Sequence, residues 1–112
     1  SDLWGKSFEQ FILMELKTYI SYRQKRKKIY FWRTVNKHEV DFIIDNEVAI
    51  EVKSSTKVSH KFFSGLLALK EENIVKNYYL ISADVIDRIE HDFIHTIHWK
   101  SFLERLWKDE IF

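Results

Sequence analysis

The chain has 112 residues, 46% of them hydrophobic and 31% charged, with 18 basic against 17 acidic side chains. That length fits one domain, spanning residues 1–112 with one core, and the composition excludes a disordered chain. The absence of cysteine excludes a disulfide framework, thiolate zinc sites and cysteine nucleophiles, and no apolar run approaches the roughly 20 residues of a membrane span. With no signal peptide visible, a cytoplasmic location without membrane partners is the expectation. A chain that opens directly on a helix, without a linker, is expected to be a domain of a longer protein.

Trp4, Phe8, Phe11, Ile12, Leu16, Tyr19 and Ile20 recur at three- and four-residue steps. They predict an amphipathic helix from Asp2 to about Tyr22, capped by Ser1 or Asp2. Glu9 and Glu15 lie beside the apolar stripe. The basic run Arg23-Gln24-Lys25-Arg26-Lys27-Lys28 suits either a nucleic-acid backbone or a helix C-terminus, where cations meet the dipole favourably.

Ile29 to Thr34 reads as a strand and carries Arg33, a candidate phosphate contact if its face also carries Asp41. Next come Glu39-Val40-Asp41-Phe42-Ile43-Ile44 and Val48-Ala49-Ile50-Glu51-Val52-Lys53, joined by Asp45-Asn46-Glu47. As a hairpin about Asn46, this pairs Phe42 with Ile50, Ile44 with Val48 and Val40 with Val52, an apolar face for a core. The opposite face then sets Asp41 against Glu51 and Glu39 against Lys53. Two facing carboxylates repel at a cost of roughly 0.2–1 kcal/mol. A divalent cation between them would turn that cost into binding energy. A two-residue turn would shift the register by one and point Asp41 away from Glu51, and a solvated face with incidental charges is the plain alternative.

A helix is expected from about Ser59, its cap, to Glu72, with Phe62, Phe63, Leu66, Leu67 and Leu69 on its apolar side. Asn77 to Ser82 reads as a strand. Ile89 to Trp99 fits either a short strand or a broken helix, so the structure of residues 85–100 stays open, and Ser101 to Trp107 reads as a short terminal helix. The fold class is therefore α/β, a mixed central sheet flanked by helices, in the order α-β-β-β-α-β plus a C-terminal tail. The helical connection from the third strand to the fourth suggests a parallel pair there.

Glu51-Val52-Lys53 is the sharpest local signal. In a strand, residues two apart share a face about 6.6–6.8 Å apart, so a carboxylate and an ammonium address one group. Asp41 completes a two-carboxylate oxygen site of the kind magnesium favours, and Lys53 is placed to orient a water or stabilise negative charge. Ser54 and Ser55 follow at once and, with Arg33 and Lys61, are candidate nucleic-acid contacts.

These residues carry a resemblance. Asp41 with Glu51-x-Lys53 in a hairpin, followed by a helix and a strand, resembles the PD-(D/E)XK nuclease superfamily. Gly5-Lys6-Ser7-Phe8-Glu9-Gln10-Phe11, Trp32-Arg33-Thr34, Glu39-Val40-Asp41-Phe42 and Ala49-Ile50-Glu51-Val52-Lys53-Ser54-Ser55 appear in one order from Gly5 to Ser82. That combination is similar to a C-terminal domain of uncharacterised function carried by many prokaryotic AAA-type ATPases. The superfamily resemblance implies a restriction-endonuclease-like core, Mg²⁺ (or Mn²⁺) held by Asp41 and Glu51, hydrolysis assisted by Lys53, and Glu9 supporting the site. Val40 stands where the superfamily pattern has proline. Nucleic acid and an upstream ATPase domain are the implied partners.

Two other patterns point to bland roles. Gly5-Lys6-Ser7 looks like the end of a phosphate-binding loop, but the required earlier glycine and strand are missing. His91, His95 and His98 would share a face only on a helix, and solvated or packing histidines are the default against a zinc site. Two functions remain: a metal-dependent nuclease, or a catalytically silent module binding nucleic acid or a partner for the ATPase.

Overall fold

The computed structural model describes the backbone from Asp2 and the side chains from Leu3 onward, so the expected Ser1 or Asp2 cap lies outside the described residues. The elements are α1 (Asp2–Tyr22), β1 (Ile29–Arg33), β2 (Glu39–Ile44), β3 (Val48–Val52), a 3-10 turn (His60–Phe63), α2 (Ser64–Glu72), β4 (Asn77–Ser82), β5 (Asp87–Glu90), β6 (Ile94–His98) and α3 (Trp99–Trp107). Six strands form one mixed sheet in the order β1-β2-β3-β4-β6-β5. The β3–β4 and β4–β6 pairs are parallel, and the others antiparallel. None of the described helices is long and apolar enough to cross a membrane.

The mixed α/β architecture agrees with the sequence, but the tail is richer than expected. Residues 85–100 supply a second hairpin, β5–β6, which extends the sheet beyond β4. His91 and Asp92 reverse the chain with φ of 52° and 69°, a left-handed conformation that aspartate and histidine adopt more readily than most residues. No glycine or proline marks that turn. His98 ends β6 and caps α3, its Nδ1 accepting the Lys100 N–H at 3.1 Å. The helix expected from Ser59 starts instead as the 3-10 turn. There the Phe62 N–H bonds to the Ser59 carbonyl at 3.0 Å, and the Ser59 hydroxyl makes no cap.

Both faces of the sheet are buried, where the hairpin had suggested one core face. Phe42, Ile44, Val48, Ile50 and Val52 pack with Phe8, Ile12, Leu16 and Tyr19 of α1 and with Phe102 and Leu106 of α3. Ile43 and Ala49 face the other way, with Phe63, Leu66 and Leu69. The unbroken apolar runs Phe42-Ile43-Ile44 and Val48-Ala49-Ile50 are what two-sided burial demands. Trp4 and Phe11, placed in the α1 stripe by their spacing, are 61% and 43% exposed, because that stripe is wider than the surface the sheet offers it.

Two backbone features position β2. At Gly65, near the start of α2, a Cβ would fall 1.8 Å from the Glu39 carbonyl oxygen, so only glycine allows the helix this close. Against β1, Tyr30 pairs with Ile43 and Trp32 with Val40. Two steps along β1 thus match three along β2, and Asp41 and Phe42 together oppose Phe31. This is a β-bulge, and it breaks the alternation: Val40 shares the α2 side with Ile43 although Phe42 lies on the α1 side.

Candidate functional site

The β2–β3 hairpin has the expected register with Phe42 opposite Ile50, Ile43 opposite Ala49 and Ile44 opposite Val48. The expected Val40–Val52 pair is not formed, because the bulge turns Val40 to the α2 side while Val52 packs on the α1 side. The backbone ladder ends at Phe42 and Ile50. At the next position Asp41 and Glu51 face each other through side chains. The Asp41 N–H donates to Glu51 Oε1 at 3.1 Å, and Asp41 Oδ2 accepts the Val52 N–H at 2.8 Å. Each carboxylate fills the place a strand carbonyl would take.

Lys53 follows β3 on the sheet's open end. Its Nζ lies 3.3 Å from Glu51 Oε2 and 5.3 Å from the centre of the Phe62 ring, which holds the ammonium from below. Glu9 reaches the group from α1, through the Asp41 side of the bulge. Glu51 is 7% exposed. One cleft of about 510 Å³ is lined by Glu9, Asp41, Glu51, Lys53, Lys6 and Ser54, among others. A second, of about 430 Å³, shares Lys6, Glu9, Glu39 and Asp41 and is walled by Phe31, Trp32 and Arg33.

Crowding these acids makes them hold protons. Burial, then the charge of Glu51, raises the Asp41 carboxyl to about 7. Burial, then the charge of Asp41, raises Glu9 to about 6. Glu51 is raised by burial, with the Lys53 ammonium pulling it back down. Burial is the leading cause at all three acids, and it is only partly offset by the ammonium groups of Lys53, at Glu9 and Glu51, and Lys6, at Glu9. Among the described residues, no three His, Asp or Glu side chains stand as a ready metal cage. Asp41 and Glu51 are two carboxylates that could offer oxygens to a cation, and a magnesium-like ion held by only two would complete its shell with water and phosphate oxygens.

The remaining sequence candidates divide. Arg33 rims the second cleft but pairs with Glu39 at 3.0 Å, so Glu39's partner is Arg33 rather than the expected Lys53. Ser54 lines the acid cleft. Ser55 and Lys61 do not: Ser55 Oγ donates to the Lys57 carbonyl at 2.8 Å, closing a turn, and Lys61 is exposed on the 3-10 turn. In the basic run, Arg23 bonds to Asp109 and to the Trp107 carbonyl, while Lys27 pairs with Glu47. His95 pairs with Asp87 at 2.6 Å, and His91 packs on Phe63. Sequence reasoning missed Lys6, whose charge lowers Glu9 and which lines both clefts. Its position three residues before Glu9, on one helix face, was the available signal.

The family model described as a domain of unknown function (DUF4143) matches residues 4–102. The chain belongs to this family. Neither a curated protein nor a solved structure matches it. The match takes in α1 from Trp4 onward, the hairpin, α2 and the whole sheet, so every residue of the acid cleft lies inside the DUF4143 domain.

Proposed function

We propose that this DUF4143 domain is a nuclease-like unit that binds a divalent cation and hydrolyses nucleic-acid phosphodiester bonds, as the C-terminal part of an AAA-type ATPase. The observation carrying this reading is the convergence of Asp41, Glu51, Lys53 and Glu9 on one cleft. The ordered motifs that resemble the PD-(D/E)XK superfamily support the same assignment.

The residues fit a hard cation. Asp41 and Glu51 offer neighbouring carboxylate oxygens, and burial first, with the charge of Glu51 second, raises the Asp41 carboxyl where no cation neutralises it. Bound there, Mg²⁺ or Mn²⁺ would polarise a phosphoryl oxygen and ease ionisation of a water. Lys53 contributes a fixed ammonium for a phosphate oxygen, positioned by Glu51 and Phe62. Glu9, raised to about 6, exchanges a proton near neutral pH and can accept one from a water. The backbone bonds from Asp41 and Val52 fix both carboxylates, so the site is preorganised.

A second reading, a catalytically silent module binding nucleic acid or a partner domain, draws on the same bonds. Asp41 Oδ2, Glu51 Oε1 and Glu51 Oε2 already have protein partners, and a site satisfied in this way stands without a cation.

Isothermal titration with Mg²⁺ and Mn²⁺ separates the two. Heat of binding that is lost in Asp41→Asn and Glu51→Gln is expected for the nuclease-like unit, together with cleavage of labelled DNA or RNA that Lys53→Met abolishes. Cation binding unchanged by both carboxylate substitutions would sink the metal assignment. Absence of cutting on single-stranded, duplex and branched substrates would leave the silent module.

A further inference from the structure

We infer that this domain takes a single nucleic-acid strand, with an unpaired base of that strand lodged in an aromatic pocket beside the acid cleft. This rests on the nuclease-like reading and names the substrate class for the same site. The pocket, of about 330 Å³, is walled by the rings of Trp4, Phe8, Phe11 and Trp99 and bounded by Ser54. Phe8 and Phe11 both stand edge-on to Trp99, with centroids at 6.0 and 5.6 Å and interplanar angles of 81° and 88°. Those contacts brace the indole where it borders the pocket. Trp4 and Phe11 keep 61% and 43% of their surface in water. Large rings clustered at an open pocket mark a surface made to be covered.

Position decides what covers it. Ser54 lines both this pocket and the acid cleft, and it directly follows Lys53. A strand whose phosphate lies in the acid cleft therefore reaches this pocket by passing Ser54. Beyond the acids, the second cleft presents Phe31, 67% exposed, and Trp32, with Arg33 at its rim. The acid centre therefore lies between two sets of rings, with Lys6, Lys53 and Arg33 along the way. Rings that stack on base faces, alternating with cations for the backbone, form a single-strand track. A duplex keeps its base faces stacked inside and offers these rings nothing to stack on. An apolar protein segment would use the rings but has no need of cations placed among them.

The test is fluorescence anisotropy in calcium, which replaces magnesium so that binding is read without cutting. The probes are a labelled single-stranded oligodeoxynucleotide, the matching oligoribonucleotide, a blunt duplex, and a strand of equal length in which tetrahydrofuran replaces every nucleoside. Either or both of the natural single strands are expected to bind roughly tenfold or more tightly than the duplex and the abasic strand. Trp4→Ala and Phe11→Ala should each weaken natural-strand binding about five- to hundredfold, a loss that the abasic strand does not show. Trp4 and Phe11 lie outside the buried core and alanine favours helix, so circular dichroism should report folded variants. Equal affinity for natural and abasic strands, tighter binding of the duplex, or ring variants without effect overturns the inference. In those cases calcium-dependent binding still supports the cation-and-phosphate reading, and the rings are left to a protein partner. Failure of every strand to bind, with calcium itself unbound, overturns both.

Discussion

Gly65 of α2 stands against the carbonyl oxygen of Glu39, with room for a hydrogen and none for a methyl group. Alanine would gain about 1 kcal/mol in helix propensity, but its Cβ would lie 1.8 Å from a backbone atom that cannot rotate away. Overpacking of this kind costs about 1–3 kcal/mol or more, so the clash wins. Gly65→Ala is expected to lower the urea midpoint of unfolding and to move β2 where it carries Asp41.

Asp41 makes stability depend on pH in a definite direction. Its carboxyl is raised from 3.8 to about 7, so between these values the folded chain holds a proton that the unfolded chain has lost. Stability due to Asp41 is then full below about 4, falls as pH rises through about 7, and is level above it. Glu9, raised to about 6, adds to the same slope. Asp41→Asn, which keeps an acceptor for the Val52 N–H, should stabilise the chain by about 1 kcal/mol or more above pH 7. Urea unfolding at a series of pH values should show that gain shrinking to nothing near pH 4.

Lys53 holds Glu51 down, and the stem of Lys53 can be kept while the charge is removed. In Lys53→Met the Glu51 carboxyl loses the cation 3.3 Å away and rises further above its ordinary value. The variant should be less stable by about 1–2 kcal/mol at alkaline pH and near wild type in acid, where Glu51 is protonated either way. Parallel stability curves for the two proteins would refute this.

Tyr19 ties the C-terminal tail to α1. Its buried hydroxyl donates to Asp109 and lies 2.8 Å from the Phe112 carbonyl, while Arg23 reaches Asp109 and the Trp107 carbonyl. Tyr19→Phe keeps the edge-on ring contacts with Trp107 and Phe112 but removes those bonds. A loss of about 1–3 kcal/mol is expected. Amide exchange should quicken at residues 108–112 while β3 and β4 keep their protection.

Much of this was readable from residue order. The hairpin register followed from matching apolar positions two by two, and Asp41, Glu51 and Lys53 stood out because a buried strand has no other use for them. The helical period of α1 put Glu9 beside the apolar stripe, and its link to the acids rested on the superfamily resemblance. The rest escaped for stated reasons. His91 and Asp92 turn the β5–β6 hairpin with no glycine, so nothing punctuated residues 85–100. Ile43 and Ala49 belonged to a second core that alternation on one hairpin does not reveal. Ser55 and Lys61 were chosen for closeness in sequence, but the chain bends away after Ser54, and Ser55 is occupied by its own turn.

The bulge on β2 bears on how such a site arises and is lost. With the extra residue, Asp41 leans toward α1 and Glu9, while Lys53 is seated on Phe62 from the 3-10 turn before α2. The chemistry thus straddles two layers of the molecule, and what joins them is a count of residues rather than any residue type. Removal of a single residue, Val40, would leave every acid and the lysine in the chain. It would restore a smooth strand, turn the aspartate toward the opposite layer and dismantle the cluster, so a related chain could carry all four site residues and still have no site.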